Sequence, residues 1–137
     1  MWQVYALLAA VFAALTAIFS KLGVRDVDSG LATAIRVGFI LLLTWGMSLY
    51  AGTWREVRQI GGHTWLFLFL SAVATGLSWL CYFKALQLGD VSKVAPLDKL
   101  SVPLAMLLGV FVLGEPCDPK TVAGGILITA GALLLVL

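Results

Sequence analysis

The chain has 137 residues, 61% hydrophobic and 12% charged, with nine Lys/Arg against seven Asp/Glu for a net charge of +2. A soluble domain of this size buries only about 60–70% of what its unfolded chain exposes, so a composition this apolar would leave a large exposed patch of the kind soluble monomers avoid. A soluble domain and a disordered chain are both excluded, no basic run invites nucleic acid, and a membrane protein remains.

A spanning helix needs about 20 mainly apolar residues to cross a hydrocarbon core of roughly 30 Å. The first such stretch is 2–20. No Lys or Arg precedes it and Lys21 and Arg25 follow it, the reverse of the signal-peptide charge order. It is therefore expected to be a mature segment. After a charged break the second span covers 30–50, and after Arg55, Glu56 and Arg58 the third covers 64–86. Only a tight turn at 87–90 separates it from the fourth, 91–113, so these two are expected to form a helical hairpin. Glu115, Pro116, Asp118 and Pro119 mark the last break, before a fifth span at 121–137.

Small residues let membrane helices approach closely. Ala6, Ala10, Ala13 and Ala17 form such a stripe, Ala72 and Gly76 lie four apart, and Gly124 and Gly131 two turns apart. Five spans put the two ends on opposite sides. Call the N-terminal side A and the other side B. Trp2, Tyr5, Tyr50, Trp54 and Trp65 gather on side A as an interfacial half-belt. Side A loops carry Arg55, Arg58 and Lys120, and side B carries Lys21, Arg25 and Lys93 with Lys84 at a helix end. Orientation follows the Lys/Arg bias of the loops. So even a balance predicts insertion either way round.

Ionisable groups inside a bilayer cost several kcal/mol and mark functional sites by default. Arg36 lies six residues into the second span, about 9 Å from side B at the helical rise. Asp98 and Lys99 lie seven and eight residues into the fourth, about 10–12 Å from the same side. The matched depths permit an Arg36–Asp98 pair, and they suggest a polar cavity opening on side B. Its net positive lining favours an anionic or zwitterionic ligand, while Asp98 is equally suited to proton coupling. A buried pair that only fastens helices is the blander alternative. Lys21 and Lys84 sit nearer the surface, where snorkelling explains them as well.

Pro96 and Pro103 share a face of the fourth span, and each removes a backbone hydrogen bond and invites a kink. Kinked helices with freed carbonyls are how transporters build midplane sites, though a kink without a substrate role satisfies the same backbone rule. Trp79 and Tyr82 are placed to line the cavity with flat faces or simply to pack. There is no nucleophile–base–acid set, metal cluster or phosphate-cradling glycine loop. No enzyme activity, cofactor or metal is expected. Cys81 and Cys117 fall on opposite sides of the membrane, so they are expected to stay unpaired.

The residues of the last three spans carry a resemblance. Tyr82-Phe83-Lys84-Ala85-Leu86, Val94-Ala95-Pro96-Leu97, Leu100, Pro103, Leu113-Gly114-Glu115 and the Gly-rich last helix resemble an EamA domain, the repeat of the drug/metabolite transporter superfamily. The resemblance runs over essentially the whole chain. It implies an all-α polytopic membrane protein, five transmembrane helices forming one EamA-like repeat over 1–137, in the cell inner (plasma) membrane. Members commonly join two such repeats, inverted because each has an odd helix number. A single repeat would then pair with an inverted copy, as an antiparallel homodimer, which the balanced loops independently favour. The resemblance implies transport of a small metabolite, drug or amino-acid-like solute by alternating access. Arg36, Asp98, Lys99 and Lys84 would meet its polar end or a coupling proton, Trp79 and Tyr82 would wall it, and Pro96 and Pro103 would flex. A non-transporting membrane subunit of a larger complex is the alternative, and a channel-like pore a third.

Overall fold

The computed structural model describes residues 2–24 and 26–137, which fold into helices and short connections. Six α-helices follow in chain order: α1 (Trp2–Gly23), α2 (Ser29–Ala51), α3 (Gly62–Leu88), α4 (Val91–Asp98), α5 (Ser101–Leu113) and α6 (Pro119–Leu134). By length and composition, Trp2–Gly23, Ser29–Ala51, Gly62–Leu88 and Val91–Leu113 can each cross a membrane, while Pro119–Leu134 is a shorter apolar helix. The chain is a polytopic membrane protein, and its large apolar side chains accordingly point outward: Leu42 is 71% exposed and Phe111 83%. Four threonine hydroxyls on these helices are satisfied within them. Thr33, Thr44, Thr75 and Thr129 each donate to the carbonyl four residues back, at 2.7–2.8 Å, as apolar surroundings demand.

The helices fall into two bodies, one of residues 19–87 and one of 2–18 with 88–137. In the first, the end of α1 turns into α2 over a short loop. Asp28 caps α2, its Oδ1 accepting from the Gly30 and Leu31 amides at 2.9 and 3.1 Å. Gly52 ends α2 in the left-handed region, φ 75°, where a side chain would be strained. Beyond it, the polar stretch expected as a loop is instead a 3₁₀ helix, Thr53–Gln59, that packs on α2. Ser48 and Thr53 share a hydroxyl hydrogen bond of 2.9 Å at that corner. Among the described residues of this body, Ser20, Val24, Thr33, Phe83 and Leu86 are buried.

In the second body α6 packs on both α4 and α5. Its buried small residues are Gly125 and Ala132. The expected pair, Gly124 and Gly131, lies one residue off that seam, with Gly124 half-buried and Gly131 exposed. Both pairs are two turns apart, so spacing alone does not choose between neighbouring faces. The same holds for the α1 stripe, where Ala17 alone is buried. α5 ends at Gly114, φ 69°, and the Glu115 amide closes the turn on the Gly109 carbonyl at 3.1 Å. α6 starts at Pro119 behind its cap, Asp118, whose Oδ1 accepts from the Thr121 amide at 2.9 Å. Hydrogen bonds from the Thr121 side chain and backbone hold the Asp118 carboxyl below its ordinary range.

The fourth span is not continuous. α4 ends at Asp98, α5 begins at Ser101, and Lys99 and Leu100 form a turn between them. Pro103 lacks the N–H that would bond the Lys99 carbonyl, and its ring crowds that carbonyl. The Lys99 carbonyl accepts from Val102 instead, at 2.9 Å, while the Lys99 and Leu100 amides reach back three residues to Pro96 and Leu97, at 3.0 Å each. That is local 3₁₀ bonding. Pro96, in contrast, sits inside α4 without ending it. The helix interruption thus falls between the two prolines, four residues before Pro103.

Candidate functional site

Within residues 19–87, the charged residue of the α2 interior meets the aromatic face of α3. The Arg36 guanidinium carbon lies 4.3 Å from the centroid of the Trp79 ring and 5.4 Å from that of Phe83. Trp79 and Phe83 are four apart on α3, so their side chains fall on one face. Arg36 and Trp79 are half-buried, and Phe83 is fully buried. Among the described residues of this body the guanidinium has no ion-pair partner. Contact with aromatic rings is worth about 0.5–2 kcal/mol, less than the several kcal/mol of placing a charge in the membrane. The charge is therefore steadied by the rings rather than neutralised.

Tyr82 is half-buried beside this face, its ring 6.5 Å from that of Phe83. Lys84 is exposed on α3, one residue further round. Lys21 does more than reach for the surface: it lies in the last turn of α1, and its Nζ donates to the Leu86 carbonyl near the end of α3. Next to it, Gln87 Nε2 donates to the carbonyls of Val24 and Val27, at 3.0 and 2.7 Å. One amide thus clasps the loop between α1 and α2 to the end of α3.

In the body of residues 2–18 and 88–137, Asp98 and Lys99 lie at the break between α4 and α5, with Lys99 Nζ 3.5 Å from Asp98 Oδ2. Both keep substantial exposure, so the pair is a weak fastening. Between α5 and α6 runs an apolar groove of about 460 Å³, lined among others by Pro103, Met106, Gly125 and Thr129. Among the described residues no cluster of His, Cys, Asp and Glu is placed to hold a metal ion. Cys81 and Cys117 are exposed free thiols.

Two contributors escape sequence reasoning. Phe83 reads as one more apolar residue of a span, and only its place one turn after Trp79 hints that both rings meet the same partner. Gln87 reads as a turn residue, because its acceptors are backbone carbonyls 60 and 63 residues away.

A sequence profile of the EamA-like transporter family matches residues 1–137. Among curated proteins, an "Uncharacterized transporter in cobO 3'region" of a Sinorhizobium species is 51% identical over 98% of this chain and 95% of its own length. A "Probable 4-amino-4-deoxy-L-arabinose-phosphoundecaprenol flippase subunit ArnE" of Pseudomonas aeruginosa (strain UCBPP-PA14) is 39% identical over 48% of this chain and 57% of its own. An "Uncharacterized transporter YojE" of Bacillus subtilis is 27% identical over 66% of this chain and 30% of its own. No solved structure matches the chain.

Proposed function

The chain belongs to the EamA-like transporter family, and from that premise we propose that it carries a small solute across the bacterial inner membrane by alternating access, as an inverted homodimer. The observation that carries the reading is the interrupted fourth span. Non-helical backbone at membrane depth is tolerated only where it is buried in protein or lines a cavity, and transporters use broken helices to build sites and to move. The turn at Lys99–Leu100 presents Asp98 and Lys99 at such a break. Arg36, steadied by Trp79, contributes a second polar contact from α2. In this reading Arg36 and Lys99 hold the polar end of the solute and Asp98 takes up a coupling proton. Trp79 and Tyr82 wall the solute, Lys84 attracts it at the mouth, and Pro96 and Pro103 bracket the moving joint. Near-equal basic residues in the loops support insertion in both orientations.

The test is uptake into proteoliposomes, with a panel of labelled metabolites to find the solute. Arg36→Ala and Asp98→Ala are each expected to abolish uptake while folded protein remains in the membrane. Undiminished uptake in both variants would remove this site.

One comparison favours a second reading. The Pseudomonas relative is named a flippase subunit, which favours reading this chain as one subunit of a larger complex. In that case this chain alone moves nothing in liposomes, and a second, oppositely oriented chain restores flux.

A further inference from the structure

We infer that Arg36 is an oxyanion-binding residue, taking a phosphate or carboxylate group edge-on while Trp79 and Phe83 fix the plane of its guanidinium. The inference rests on the transporter reading for its purpose, and it narrows the solute to one bearing such a group.

A guanidinium offers flat faces to aromatic rings and five N–H donors around its edge. In the inferred arrangement a flat face is turned to Trp79, over whose ring the guanidinium carbon lies at 4.3 Å, with the Phe83 centroid 5.4 Å away. The edge remains. Among the described residues of its body no carboxylate pairs with it and none accepts a hydrogen bond from its N–H groups. Cation–π contact offsets only part of the cost of a charge at this depth, so a bound anion gains both the Coulomb term and the edge hydrogen bonds. Two parallel N–H···O bonds to one phosphate or carboxylate are the strongest arrangement open to this group. Full burial of Phe83, 1% exposed, keeps the wall behind the guanidinium fixed. A planar, pre-oriented donor set also predicts that a lysine, a point charge on a flexible stem, cannot substitute.

An oxyanion can come from water or from a lipid headgroup, and one experiment separates the two. Trp2, Trp45, Trp54 and Trp65 are replaced by Phe so that Trp79 is the one reporter, and the protein is placed in phosphatidylcholine nanodiscs. Trp79 emission is followed while sodium phosphate or sodium acetate is added, against sodium chloride at equal ionic strength. In parallel, the mole fraction of phosphatidic acid in the disc is raised. A saturable change with phosphate or acetate identifies a dissolved ligand, and one with phosphatidic acid alone identifies a headgroup. In either case Arg36→Lys should weaken the response by roughly tenfold or more, the loss of one charge-assisted hydrogen bond, with unchanged thermal unfolding. Arg58→Ala, which removes a distant cation, should leave it intact. No saturable response in any arm, or an equal one in Arg36→Lys, overturns the inference. Binding without flux in liposomes leaves the oxyanion site standing and removes the transporter reading. Flux without Arg36-dependent binding does the reverse.

Discussion

Gln87 holds the carbonyls of Val24 and Val27 with a single amide group. Removing that donor strands half-buried acceptors, a loss of about 1–3 kcal/mol for an unsatisfied polar group. Gln87→Ala is therefore expected to lower the thermal midpoint in detergent, and an unchanged midpoint would mean that solvent already serves those carbonyls. At the other end of the chain, Asp118 ties the start of α6 to solution pH. Its folded carboxyl is held below the ordinary value by Thr121, which is near 3.9 in unfolded chains. The cap thus stabilises fully above that value and is lost as pH falls through the lower, folded one. Amide exchange at Thr121 should accelerate in that acid window, and Asp118→Asn, which caps without titrating, should abolish the acceleration. A charge such as Arg36 or Asp98 is legible in the sequence because an ionised group in an apolar run is costly wherever it points. The ring that meets it is less legible. Trp79 stands out by size, whereas Phe83 is identified only once α2 and α3 are packed.

Helices were legible because the bilayer demands long apolar runs: four segments are long and apolar enough to cross, and the last expected span falls on the shorter apolar helix Pro119–Leu134. Their ends moved by local chemistry: Lys21 belongs to α1, and α6 starts at Pro119 behind its cap. The fourth span shows the limit most clearly. Two prolines announce a disturbance, but a proline acts on the carbonyl four residues before it, so Pro103 opens the chain at Lys99 while Pro96 is accommodated. Pro103→Ala restores the missing donor and should let α4 and α5 join. Uptake is expected to fall while the thermal midpoint holds or rises, the signature of a joint kept for motion rather than stability. Full uptake in that variant would show that the break serves no moving part. The α5–α6 groove was not legible, because choosing between the Gly124/Gly131 and Gly125/Ala132 faces requires knowing which neighbour α6 meets.

Taken whole, the chain carries most of its large apolar side chains on the outside, and its stability is inseparable from the bilayer that covers them. The proposed working transporter is a pair of oppositely oriented copies. The odd number of spans expected from the sequence and the near-equal basic residues of its loops support that pairing. Cys117, an exposed free thiol in the segment between α5 and α6, supplies the reporter. With Cys81 replaced by Ser, a membrane-impermeant thiol reagent is applied to right-side-out and to inside-out vesicles. Each preparation is expected to label about half of the molecules, as near-equal loop charges imply. Labelling confined to one preparation would show every copy facing the same way, and the inverted homodimer would be wrong.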